Sequence, residues 1–91
     1  MAEQPRTVQV ELLNPERMLY SGEASMVVAR TLDGEIALMP GHAPLLGALL
    51  PGRLRILESD GTELVATVHS GFVEVCDNRV TILSDAIEVV T

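Results

Sequence analysis

Short runs rich in β-branched residues, punctuated by two-residue turn signals, constrain this chain more than any other feature. Asp33-Gly34, Asp60-Gly61 and Asp77-Asn78 each separate two apolar-alternating segments. Residues that tolerate positive φ at such positions let a hairpin close in register with the twist of its strands. Eleven valines, four isoleucines and six threonines lie between the turns, at strand rather than helical spacing. In the segment from Thr7 to Leu13, Val8, Val10 and Leu12 share one face, while Gln9 and Glu11 share the other.

Further segments follow the same pattern. Met18 to Ser21 and Ser25 to Arg30 read as two strands separated by Gly22-Glu23, and Glu35 to Leu38 as the return strand after Asp33-Gly34. Met39-Pro40-Gly41-His42-Ala43-Pro44 reads as an irregular loop, because two prolines bracket a glycine. Leu45 to Leu50, Leu54 to Glu58, Glu63 to Ser70, Phe72 to Cys76, Arg79 to Leu83 and Ala86 to Val90 complete the set. No stretch forms a convincing helix. The expectation is all-β: a flattened β-sandwich or barrel of about ten short strands in two sheets, with no C-terminal helical hairpin. At 91 residues this is one domain, residues 1–91, with residues 1–6 as a flexible tail.

Composition narrows the function. Six arginines, no lysine and thirteen acids leave a formal charge of −7. A nucleic-acid binder needs a basic footprint and stacking aromatics, and this chain has one Phe, one Tyr and no Trp. Its single cysteine closes no internal disulfide, which points to a reducing compartment. The N-terminus has no signal-peptide pattern. The uncharged run from Ile36 to Gly52 is broken by three prolines, so direct membrane insertion is not expected. The 47% hydrophobic content suggests apolar surface kept for a partner.

Candidate chemistry is sparse. His42 sits in the Pro-Gly loop, but no serine stands in a nucleophile-elbow setting, and His42 and His69 have no third ligand at metal spacing. A loop-ordering or interface role is the expectation for His42. Cys76 reads as a small buried hydrophobe in an apolar strand. Glu35 and Glu74 read as solvent-facing strand acids. No glycine-rich phosphate loop is present, so no cofactor, metal or ATP binding by this chain alone is expected. Adjacent apolar pairs such as Leu12-Leu13, Val27-Val28, Leu45-Leu46 and Leu49-Leu50 must point to opposite faces of a strand, leaving some of these side chains outside the core.

The segment Asp33-Gly34-Glu35-Ile36-Ala37-Leu38-Met39-Pro40-Gly41-His42-Ala43-Pro44-Leu45-Leu46 closely resembles the signature of the ATP synthase epsilon chain, the small subunit of bacterial and chloroplast F-type rotary synthases. The likeness continues through Leu50-Pro51-Gly52-Arg53-Leu54-Arg55-Ile56, Gly71-Phe72-Val73-Glu74-Val75 and Asn78-Arg79-Val80-Thr81-Ile82-Leu83-Ser84-Asp85. Two departures stand out: Ala37 replaces a usual glycine, and typical members run on into a two-helix hairpin. The resemblance implies a ten-stranded sandwich at the foot of the central stalk, turning with the rotor and making no bonds itself. Its partners would be the gamma subunit and the c-ring, with the catalytic alpha and beta subunits reached indirectly through gamma. It implies a c-ring interface at Glu35, Gly41, His42, Ala43 and Pro44, and a gamma interface at Asn14 and Leu46. The implied location is peripheral, on the cytoplasmic side of the bacterial plasma membrane or the stromal side of the thylakoid. Two other readings remain: a free-standing sandwich binding a small molecule or peptide around His42, and a hydrolase using Glu35 or Asp85.

Overall fold

A computed structural model describes residues 6–90. The expected tail falls mostly on residues 1–5, outside the described residues. Nine strands form among the described residues: β1 (Val8–Leu13), β2 (Met18–Thr31), β3 (Gly34–Leu38), β4 (Leu45–Leu49), β5 (Gly52–Glu58), β6 (Glu63–Val68), β7 (Gly71–Cys76), β8 (Arg79–Ser84) and β9 (Ile87–Val89). Their hydrogen-bonded order is β1-β8-β7-β4-β2-β5-β6-β9, with β3 beside β2 and a further pairing of β1 with β2. That last pairing brings the path back on itself, giving a flattened barrel whose two halves enclose one core.

Strand β2 accounts for the difference from ten. It is one strand of 14 residues where the sequence suggests two, and Gly22-Glu23 lies within it. Its first part pairs with β1, from Ala24↔Val8 to Tyr20↔Leu12, and its second part pairs with β3 and β5. The register shifts between Ala24 and Met26. Buried Ala24 and Val27 are three positions apart, an odd spacing that a regular strand cannot put on one face. The bulge restores the phase and bends the strand, so that β2 serves both halves. Ser25 at this point donates its hydroxyl to the Leu57 carbonyl at 3.1 Å.

Alternation builds the core from both halves. Val8, Val10 and Leu12 of β1, Val73 and Val75 of β7, and Val80 and Ile82 of β8 meet Val27, Ala29, Leu38, Leu54, Ile56 and Ala66. Two buried polar side chains, Thr31 and Ser84, are satisfied locally, whereas the buried Tyr20 hydroxyl has no hydrogen-bond partner among the described residues. Thr31 Oγ1 donates to the Gly34 carbonyl at 2.8 Å and accepts from the Asp33 amide at 3.2 Å, closing the Asp33-Gly34 turn. Ser84 Oγ donates to the Ser70 carbonyl. Among the described residues, no helix is long and apolar enough to cross a membrane.

Candidate interaction surface

The outer face of the β1-β8-β7-β4 half is set by the same alternation. With Val73 and Val75 inward, Phe72, Glu74 and Cys76 point out; with Val80 and Ile82 inward, Thr81 and Leu83 point out. In β4, Leu45 packs against the core, while Leu46 turns away from it and is 72% exposed. The ladders place Leu46 opposite Glu74, Ala48 opposite Phe72, and Phe72 opposite Leu83. Leu46, Phe72, Glu74, Thr81 and Leu83 line one shallow, largely apolar groove. Contiguous exposed apolar surface on a small protein marks an interaction site.

The structure corrects one expectation here. Cys76 is exposed, not buried, because it is in phase with Phe72 and Glu74. Its thiol titrates above the usual range, chiefly because the neighbouring Asp77 carboxylate opposes a second negative charge. Nothing in the side-chain chemistry of Phe72 or Leu83 marks either as functional. Each follows an alternating strand out of phase with its valines and isoleucine, a signal present in the sequence.

Asn14 lies beside this face, in the turn after β1. Its Oδ1 accepts from the amides of Glu16 and Arg17, both at 2.8 Å, and its own amide donates to the Arg17 carbonyl at 3.0 Å. The side-chain oxygen is thus committed to ordering the turn. Pro15 of that turn shares a second depression with Ala48, Phe72 and Leu83, which places Asn14 one residue from the groove rather than in it.

Glu35, Gly41, His42, Ala43 and Pro44 are all exposed. Glu35 lies across the β2–β3 ladder from Arg30. The 39–44 loop turns through a hydrogen bond from the His42 amide to the Met39 carbonyl at 3.1 Å, with Gly41 at φ 81°. His42 Nδ1 lies 2.7 Å from the Ala43 carbonyl, which only accepts, so a hydrogen bond there requires the proton on Nδ1. Pro44 lies with Leu46, Glu74 and Cys76 around one depression, so the loop runs directly into the apolar face. Among the described residues, no three His, Cys, Asp or Glu side chains gather as a metal-binding group.

The comparisons with known proteins agree with this architecture. Residues 7–90 match the family described as the ATP synthase Delta/Epsilon chain, beta-sandwich domain. An ATP synthase epsilon chain from Streptomyces avermitilis is 48% identical over 89% of this chain and 65% of its own length. One from Frankia casuarinae is 44% identical over 86% of this chain and 92% of its own length. This chain thus spans about 65% of the length of the Streptomyces relative. Among solved structures, a chain of the Euglena gracilis mitochondrial ATP synthase (OSCP/F1/c-ring) superposes with a TM-score of 0.89 at 21% identity, covering 97% of this chain and 56% of that one. A chain of the Tetrahymena thermophila mitochondrial ATP synthase central stalk/c-ring superposes at 0.69 and 20% identity, covering 94% of this chain and 68% of that one. At such identities the superpositions speak for the fold. The family match and the bacterial relatives go further: this chain belongs to the ATP synthase delta/epsilon chain β-sandwich family.

Proposed function

We propose that the chain is a non-catalytic rotor subunit of the F1 part of a proton-translocating ATP synthase. It links the gamma stalk to the c-ring, and so couples ion flow to ATP synthesis carried out on the alpha and beta subunits. The observation that carries this reading is the apolar outer face around Leu46, Phe72 and Leu83, which adjoins the exposed 39–44 loop at Pro44. The apolar face suits a packed, long-lived contact with gamma, and the polar loop with Glu35 suits the charged loops of a c-ring. Asn14 supports the gamma face by holding the turn that carries Pro15 against it. The protein then works as a peripheral component on the cytoplasmic side of a bacterial plasma membrane.

Two variants test this, with the chain assembled on gamma and the c-ring. Leu46→Glu, at an exposed position, leaves the fold intact and weakens binding to gamma at least tenfold. Cysteines replacing Glu35 and His42, in a Cys76→Ser background, cross-link to c-subunit loops. Unchanged gamma affinity, or labelling at 35 and 42 by bulk reagent alone, overturns the reading.

A further inference from the structure

Asn78 occupies the second position of the β7–β8 turn at φ 59°, after Asp77 at φ 52°. Glycine serves such a turn with less strain, and the asparagine side chain in its place makes two long-range contacts. Its Oδ1 accepts from the Gly41 amide at 2.9 Å, across 37 positions of sequence. Its Nδ2 donates to the Thr7 carbonyl at 2.8 Å, across 71 positions. Its main-chain carbonyl accepts from the Gln9 amide at 3.2 Å. One half-buried residue therefore joins the start of β1, the β7–β8 turn and the 39–44 loop.

The loop has few other means of holding its shape. Pro40 and Pro44 have no amide hydrogen, and the His42 amide is used within the loop on Met39. Among the described residues, the Gly41–Asn78 bond is the one hydrogen bond tying residues 40–44 to a distant part of the fold. We infer that Asn78 is the positioning residue of the docking loop: its amide clamps Gly41, and so presents His42, Ala43 and Pro44 to the c-ring in one orientation. This rests on the c-ring contact proposed above. A surface that meets its partner already ordered avoids the entropy cost of ordering on contact, so losing the clamp weakens binding without removing any direct contact. One net hydrogen bond corresponds to about a fivefold change in affinity.

The test uses the full chain bound to gamma, with c-rings in lipid nanodiscs. Asn78→Gly keeps the turn and deletes both side-chain bonds. Asn78→Asp keeps an oxygen able to accept from Gly41, while its second oxygen, an acceptor in place of the donor, faces the Thr7 carbonyl and breaks that bond. Expected for Asn78→Gly are a c-ring affinity about fivefold or more lower, gamma affinity unchanged and Gly41 amide exchange at least tenfold faster; Asn78→Asp, which retains the Gly41 acceptor, falls between Asn78→Gly and wild type in both c-ring affinity and Gly41 exchange. Faster Gly41 exchange with unchanged c-ring affinity overturns the inference. So does unchanged exchange, or an equal loss of gamma affinity, which marks a general structural role. Failure of the docking reading itself is distinct: the wild-type chain then adds nothing to the affinity of gamma alone for c-rings, and the inference falls with it.

Discussion

Phe72 and Leu83 stand directly opposite each other in the β7–β8 ladder, with both side chains on the outer face, 56% and 43% exposed. An apolar cross-strand pair on a solvent face contributes about 0.2–1 kcal/mol to the sheet, little return for the surface it exposes. Next to each lies a buried neighbour, Val73 and Ile82, pointing the other way. The two faces of one strand thus do different work, and substitutions one position apart separate them.

Leu83→Ser should cost about 1 kcal/mol of stability or less, yet lower gamma affinity about fivefold or more. Ile82→Ala should do the reverse. It removes a fully buried side chain, costs about 2–5 kcal/mol, and leaves gamma affinity near wild type at a temperature where the variant is folded. Urea unfolding and titration with gamma measure the two quantities. Loss of affinity in both variants alike would remove the distinction between the faces.

Gly71 and Gly34 both have positive φ, 155° and 113°, but differ in surroundings. A Cβ at Gly71 would clash with the Leu83 carbonyl group and lie 2.9 Å from the Ser84 Cα, all backbone of the paired strand. A Cβ at Gly34 would meet nothing within 4 Å. Gly71→Ala should therefore destabilise by about 3 kcal/mol or more, combining conformational strain with forced separation of β7 from β8. Gly34→Ala should cost only the strain, about 1–2 kcal/mol. Chemical denaturation of the two variants side by side decides it.

The family resemblance puts Asn14 at the gamma interface, and its side-chain oxygen is engaged by two amides of its own turn. Asn14→Ala leaves both donors without that acceptor and should cost about 1–2 kcal/mol. Asn14→Asp keeps the acceptor and should remain within about 0.5 kcal/mol of wild type. Equal losses in the two variants would mean that the side-chain nitrogen matters instead.

Asp77 raises the Cys76 thiol. The raised pKa means less thiolate at a given pH, hence slower alkylation than an unperturbed exposed cysteine. Asp77→Asn removes the opposing charge while keeping a residue that tolerates φ 52°. The iodoacetamide rate at pH 8 should rise, and its pH midpoint should move down. An unchanged profile would assign the shift to another cause.

Much of this protein is legible in its sequence because its information is local. Valine, isoleucine and leucine at every second position decide which side of a strand faces inward, and Asp33-Gly34 and Asp77-Asn78 decide where hairpins turn. The same alternation places Leu46 outside the core, and the Pro-Gly-His-Ala-Pro segment carries the family likeness. The tertiary structure decided what depends on distant segments meeting. Strand β2 is continuous because β1 and β5 hold its two parts across a bulge, which no local pattern announces. The apolar groove exists because β4, β7 and β8 align Leu46, Phe72 and Leu83 in register. Asn78 is a turn residue in sequence, and becomes a clamp only when Gly41 and Thr7, 37 and 71 positions away, arrive within hydrogen-bond reach. Strand direction and turn chemistry act over a few residues, whereas register between strands is a property of the packed whole.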